Sequence, residues 1–118
     1  MREVGASGAA NVSCHNGSDS RRDGGAAFRA AWSEIILPRL DRFAPGLLII
    51  SAGFDAHIAD PLAQLRLETV DFTWITEQLV AVADRHCGGR VVSVLEGGYD
   101  LDALAACAAV HVRGLMRA

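Results

Sequence analysis

Two short segments carry the residues whose types suggest chemistry, and each segment follows an apolar run. Asp55 lies in GFDAH, after the run LLIIS, and Tyr99 lies in EGGYD, after the run VVSVL. A carboxylate in such a segment can bind a metal ion or act as a base, and a phenol can donate a hydrogen bond to a developing oxyanion. An aspartate after a strand also often caps a turn, and a tyrosine that opens a helix often packs its ring, so a structural role is the alternative for both.

The elements around these segments predict that Asp55 and Tyr99 share one edge of a sheet. Continuous apolar runs are typical of strands that are buried on both faces, as in parallel sheets. Between the two runs, an apolar stripe predicts a helix that ends at a glycine pair. A strand, a crossover helix and a second strand make a βαβ unit with parallel strands. Neighbouring strands lie ~4.8 Å apart, and ligands gather outside their carboxyl ends.

The rest of the chain is arranged around this unit. Residues 1–25 are rich in Gly, Ser, Ala and Asn, which predicts a loosely ordered N-terminal arm. Residues 28–43 place apolar side chains at helical spacing, and Pro38 within them predicts a kink. A structured loop is expected over residues 53–68, and a last helix follows Tyr99. The order α-β-α-β-α predicts one α/β domain over residues 26–118.

Other candidates for a site rest on weaker patterns. Asp55 and His57 form an Asp-x-His pair, and they share a face if the backbone is extended, so they are a candidate two-ligand metal arm. Gly97 and Gly98 would let the backbone approach a ligand closely. The glycine pairs of the chain do not form GxGxxG or a P-loop, so nucleotide binding has little support. The histidines at positions 86 and 111 are interpreted as ordinary helix residues.

Composition argues against several classes of function. The net charge is −3, with no Lys, so there is no basic patch for a nucleic acid or a membrane surface. No apolar run reaches the ~18 residues that a membrane span needs, and the N-terminus lacks the apolar core of a signal peptide. The three cysteines form no CxxC pair, which does not suit a disulfide framework or a zinc ribbon. We therefore expect a cytoplasmic protein without a nucleic-acid or membrane partner.

The segments SAGFDAHIADPLAQLRLE and VVSVLEGGYDLDALA, in this order and with one helix between them, resemble the closing part of the histone deacetylase family. The resemblance covers residues 26–118 and is nearest to the acetylpolyamine amidohydrolase and class II-like branch. It implies an arginase-like, three-layer α/β/α fold, of which this chain would form a part with a short parallel sheet. It also implies zinc-dependent hydrolysis of acetyl-lysine or acetylpolyamine amides.

The resemblance implies roles for individual residues as well. Asp55 matches a zinc-ligand aspartate, with His57 as a weaker metal candidate, and Tyr99 matches the tyrosine that stabilises the tetrahedral oxyanion. The remaining matches are three residues of the substrate channel and two supporting residues, namely Phe54, Gly97, Gly98, Asp60 and Glu96.

Several parts of the family's active site have no match in this chain. They are a His-His pair for proton transfer, a second metal carboxylate and a metal histidine from an upstream Asp-x-His motif. The segment NVSCHNGSDSRRDGG departs from the family's pattern after Asn11 and Val12. Catalytic zinc normally takes three protein ligands and keeps an open position. We therefore expect that the chain alone does not bind zinc stably, and whether it is an enzyme stays open.

Three hypotheses for the function follow. The first is a truncated deacetylase-family protein that is inactive as an isolated chain. The second is an assembly module, because a short parallel sheet leaves exposed edges that invite pairing and would produce a homo-oligomer. The third is a deacetylase whose missing ligands come from another subunit, or from His15 together with Asp55 and His57.

Overall fold

The computed structural model describes residues 20–59 and 66–117. The elements of these residues, in chain order, are α1 (Ser20–Ala31), a π-helical turn (Trp32–Ile36), α2 (Leu37–Phe43), β1 (Leu48–Gly53), α3 (Thr69–His86), β2 (Val91–Gly97) and α4 (Leu101–Leu115). The α/β class and the predicted order of elements are confirmed. Asp60, His15 and the predicted arm up to residue 19 lie outside the described residues.

The helical stretch before β1 is irregular at two places. In α1 the backbone leaves helical geometry at Gly24, where φ is +24°, so a short helical turn precedes the apolar stripe. Further on, the N–H of Leu37 donates to the carbonyl of Trp32, which closes a π-helical turn directly before Pro38. A proline has no N–H for the helical hydrogen bond, and π-turns are a common way to absorb such a disruption. The irregularity expected at Pro38 therefore lies one turn ahead of it.

The two strands and α3 form the predicted βαβ unit. β1 and β2 pair in parallel, from Leu48 opposite Val91 to Gly53 opposite Gly97, with a shift in register after Ala52. α3 is the crossover helix, and Glu68 caps its first turn in a reciprocal arrangement with Asp71. Because the strands are parallel and adjacent, their carboxyl ends lie at the same edge of the sheet.

The helices cover one face of the sheet. Leu48 and Ala52 of β1 are each 8% exposed and pack against apolar residues of α3 and α4. The side chains that alternate with them point away from these helices, since Ile49 is 65%, Val92 49% and Val94 50% exposed. The expectation that both faces of the strands are buried is therefore wrong for the described residues.

Contacts between the helices complete the core. An ideal Cβ built on Gly114 of α4 would overlap the Thr76 side chain, so glycine permits a close approach of α4 to α3. The carboxylate of Asp71 accepts a hydrogen bond of 2.9 Å from Arg29, which joins α1 to the start of α3. Cys87 and Cys107 are fully buried. None of the helices in the described ranges is long and apolar enough to cross a membrane.

Candidate functional site

The segments that follow β1 and β2 are joined at the carboxyl edge of the sheet. Gly53 and Gly97 are partners in the parallel register. One position further along the chain, the N–H of Phe54 donates a hydrogen bond of 2.8 Å to the carbonyl of Gly97. The turn that carries Asp55 and the turn that carries Tyr99 therefore lie side by side, and we refer to residues 53–55 and 97–99 as the rim.

The carboxylate of Asp55 lies against the backbone of both strand ends. An ideal Cβ on Gly97 would be 3.1 Å from Oδ1 of Asp55, and one on Gly53 would be 2.9 Å from the same atom. A larger residue at either position would displace the carboxylate, because carbon atoms are rarely found that close to it. The two glycines thus make room for a half-buried carboxylate at the rim.

The second turn leads from β2 into α4. Gly98 has a φ of +144°, a backbone conformation that residues other than glycine rarely adopt. Tyr99 is 59% exposed, and Asp100 caps α4 by accepting a hydrogen bond of 2.8 Å from the N–H of Ala103. Glu96, the residue before Gly97, is exposed. The turn therefore presents a phenol at the same edge as the Asp55 carboxylate.

Phe54 belongs to the first turn of the rim, and its side chain points into the core. Its side chain is 5% exposed, and its ring packs edge-on against Phe72 of α3 at a centroid distance of 5.4 Å. An ideal Cβ on Gly98 would be 3.4 Å from Cβ of Phe54, so this residue also touches the second turn. In the described residues Phe54 connects the two turns from below.

His57 is held within the loop that follows β1. Its Nδ1 accepts a hydrogen bond of 3.1 Å from the N–H of Ala59, which leaves Nε2 as the protonated nitrogen of the neutral ring. Nε2 lies 3.4 Å from the hydroxyl of Thr69, and the ring stacks on Phe72 at 6.3 Å. Both ring nitrogens thus have partners within the protein, and the arrangement orders the loop.

The described residues do not form a complete metal site. Among residues 20–59 and 66–117, no group of three His, Cys, Asp or Glu side chains is placed to hold a metal ion. Asp55 offers one carboxylate at the rim, while His57 is engaged by Ala59 and Thr69. A zinc ion at the rim would need further ligands from outside these residues.

Three buried polar residues among the described ones, Asp71, Thr76 and His111, were not singled out from the sequence. Asp71 is 5% and His111 is 7% exposed. The acidic pair in the segment ETVD is a readable signal for Asp71, since reciprocal caps join such residues across the first helical turn. His111 has no comparable signal, because its partners, Ser93 and Thr76, lie 18 and 35 positions away.

Comparison with known proteins places this geometry in a family. The profile described as the histone deacetylase domain matches residues 1–115. The chain belongs to the histone deacetylase family. The match begins at the first residue, so it extends further upstream than the resemblance that was drawn from residues 26–118 alone.

Named relatives and solved structures agree with this assignment. The histone deacetylase-like amidohydrolase of Pseudomonas aeruginosa is 45% identical over 73 residues, which are 62% of this chain and 19% of that protein. The polyamine deacetylase HDAC10 of Mus musculus is 39% identical over 93 residues, 79% of this chain and 13% of that protein. The crystal structure of the HDA15 HD domain superimposes with a TM-score of 0.72 at 34% identity, over 80% of this chain and 26% of that domain's chain.

These figures have two consequences for this deacetylase-family chain. Its fold is the α/β fold of deacetylase domains, which is arginase-like, and the short parallel sheet is a part of it. The chain spans only a small share of the length of each relative, from 13% to 26% in the three named above.

Proposed function

We propose that this chain supplies one part of the active site of a zinc-dependent deacetylase that acts on acetyl-lysine or acetylpolyamine amides. In this proposal Asp55 is one zinc ligand, and Tyr99 donates a hydrogen bond to the oxyanion of the tetrahedral intermediate. The observation that carries it is the pairing of Gly53 with Gly97, which brings both turns to one rim. The names of the relatives, one an amidohydrolase and one a polyamine deacetylase, favour an amide substrate.

The same geometry sets a limit on what the isolated chain does. A bound zinc ion would polarise the amide carbonyl and activate water, but it normally takes three protein ligands. Asp55 provides one of them, and the described residues bring no set of three together. We therefore expect the isolated chain to hold no stoichiometric zinc and to cleave neither acetyl-lysine peptides nor acetylpolyamines.

Metal analysis of the purified chain tests this limit. The chain and its Asp55→Ala variant are dialysed against zinc, and bound metal and amide hydrolysis are measured for both. Little zinc and no turnover in either protein is the expected result. Stoichiometric zinc in the unmodified chain that is lost in Asp55→Ala would overturn it, and would favour a site completed by a second subunit or by His15 and His57.

A chimera tests the roles of Asp55 and Tyr99 directly. The matching segment of the Pseudomonas aeruginosa relative, which shares 45% identity with this chain, is replaced by the segment of this chain. We expect a zinc-binding, amide-hydrolysing protein in which Asp55→Ala loses the metal. Tyr99→Phe should keep the metal but lose at least about 100-fold in turnover, as when one oxyanion donor is removed.

The control for the chimera is an acidic residue away from the rim. Asp84 lies on α3 and is exposed, so Asp84→Asn should leave zinc content and turnover unchanged. A folded chimera whose Asp55→Ala variant still binds zinc would show that this carboxylate is not a ligand. Equal turnover in Tyr99→Phe would remove the oxyanion role.

A second candidate function is assembly into a homo-oligomer. The observation that favours it is the uncovered face of the sheet, where Ile49, Val92 and Val94 are about half to two-thirds exposed. Exposed apolar patches of this kind commonly mark interfaces. We propose that a second copy of the chain covers this face or its edge.

The cellular location and the cofactor of the chain are part of the same proposal. We propose a cytoplasmic location, since Cys87 and Cys107 are free, buried thiols, as is usual in reducing compartments. The net charge of −3 offers nothing for a nucleic acid or an anionic membrane to bind. Zinc as the cofactor rests on the family and on Asp55.

A further inference from the structure

His111 is a buried imidazole at the point where α4 meets α3 and β2. Its Nδ1 is 2.7 Å from the hydroxyl of Thr76, and its Nε2 is 2.8 Å from the hydroxyl of Ser93. The Thr76 hydroxyl donates its proton to the carbonyl of Phe72 at 2.7 Å, so its oxygen must accept from Nδ1–H. Nε2 then accepts from Ser93, and the network selects one neutral tautomer.

The imidazole also supports the residue that joins the two turns of the rim. The rings of His111 and Phe54 meet edge-on, with centroids 5.8 Å apart. Phe54 donates its N–H to Gly97, lies against Gly98 and directly precedes Asp55. A displacement of the Phe54 ring would therefore move one turn of the rim relative to the other.

We propose that His111 is a positioning residue, which holds Phe54 through the Thr76–His111–Ser93 network and thereby sets the relation between the Asp55 turn and the Gly97-Gly98 turn. This inference rests on the proposed function, in which the two turns carry the functional groups. It assigns to α4 a role beyond closing the core.

The protonation of His111 provides a readout for this role. Burial lowers the pKa of His111 below its ordinary value of 6.5, so the neutral network persists at neutral pH. The groups that contact the ring, Thr76, Ser93 and Phe54, are uncharged. The charged side chains on the same elements are Asp71, Glu77, Asp84 and Arg85 on α3, Glu96 on β2, and Asp102 and Arg113 on α4, with Asp55 next to Phe54 in the turn.

Nuclear magnetic resonance of the full chain tests the proposal without metal or activity. Amide signals of Phe54, Gly97 and Gly98 are followed from about pH 8 to about pH 5, together with the imidazole signals of all four histidines. We expect the rim amides to titrate with the midpoint of His111. This shared titration should vanish in His111→Gln and persist in His86→Gln, whose side chain pairs with Asp41 away from the rim.

A second variant keeps the ring in place. Ser93→Ala removes the donor to Nε2, and because that hydrogen bond favours the neutral ring, its loss should raise the midpoint of His111. The rim amides should move to the same higher midpoint. A rim that follows the midpoint of His57, or that ignores the change in His111, would overturn the proposal. Neither result bears on zinc binding, which the chimera tests separately.

Discussion

Asp71 shows at the scale of one residue how α1 is fastened to the rest of the fold. Its carboxylate accepts hydrogen bonds of 2.9 Å from Arg29 and from the N–H of Glu68, and it is 5% exposed. Asp71→Ala should lower the free energy of unfolding by about 2–4 kcal/mol, because it removes a helix cap and leaves Arg29 without its partner. Urea denaturation measures the change.

The matched control for Asp71 is another acidic residue of the same helix. Glu77 pairs with Arg117 at 3.8 Å, and the two side chains are 51% and 74% exposed. Exposed pairs of this kind contribute little, so Glu77→Ala should change the free energy of unfolding by less than about 1 kcal/mol. Equal decreases in the free energy of unfolding of the two variants would show that the buried position of Asp71 adds nothing to its contribution.

The buried imidazole of His111 predicts how stability depends on pH. Its pKa is lowered by burial, so the unfolded chain takes up this proton at a higher pH than the folded chain does. Between the lowered pKa and 6.5 the unfolded state binds more protons, and the free energy of unfolding falls as the pH falls. Urea midpoints at about pH 7.5 and about pH 5 should show this decrease.

Two comparisons assign that decrease to His111. The His111→Gln variant should show a smaller decrease, and an unchanged one would point to other groups. Asp41 affects stability only at a lower pH than His111 does. Hydrogen bonds from Arg85, and to a smaller extent from His86, lower the pKa of its carboxyl below 3.8. Its contribution is present above that value and is lost as the pH falls through the lowered pKa.

At the scale of elements, the βαβ unit could be predicted because each of its parts has a local signal. Apolar runs marked β1 and β2, and a helical stripe marked α3. Parallel pairing then followed from the crossover, and with it the meeting of the Asp55 and Tyr99 turns. The His111 network could not be predicted, since it joins three elements through partners that the sequence does not bring together.

The turn between β2 and α4 gives a prediction at this scale. Gly98 has a φ of +144°, and an ideal Cβ there would be 2.9 Å from Leu104. Gly98→Ala should lower the free energy of unfolding by about 1–3 kcal/mol, because alanine is strained at this φ and its Cβ would crowd the Leu104 side chain. Gly46→Ala is the control, since that position has nothing within 4 Å, and its effect should stay within about 1 kcal/mol. Thermal or urea unfolding of both variants measures the two changes in the free energy of unfolding, and equal changes would contradict the prediction.

For the whole molecule, the apolar runs of the strands predict more burial of the sheet than the described residues provide. Their runs lack the alternation of a half-exposed sheet, so the sequence predicts cover on both faces. The structure covers one face and leaves Ile49, Val92 and Val94 on the other. Sequence reasoning was therefore right about the type of sheet and wrong about what surrounds it. The apolar pattern is that of a sheet with more cover than the described residues give it. The share of the HDA15 domain that this chain covers, 26%, agrees with that view.

The bare face leads to a prediction about the state of the chain in solution. Burying apolar surface gains roughly 25 cal/mol per Å², so two copies that cover this face should be more stable together than apart. Light scattering after size exclusion should give at least twice the monomer mass of 12.5 kDa. The triple variant Ile49→Thr, Val92→Thr, Val94→Thr keeps strand-forming residues and should shift the chain to the monomer.

The control is a pair of substitutions on the helices. Val70→Gln with Val112→Gln, at exposed apolar positions of α3 and α4, should leave the mass unchanged. A monomer at every concentration would mean that no second copy covers the sheet, whereas association lost only in the helix variant would move the interface to the helices.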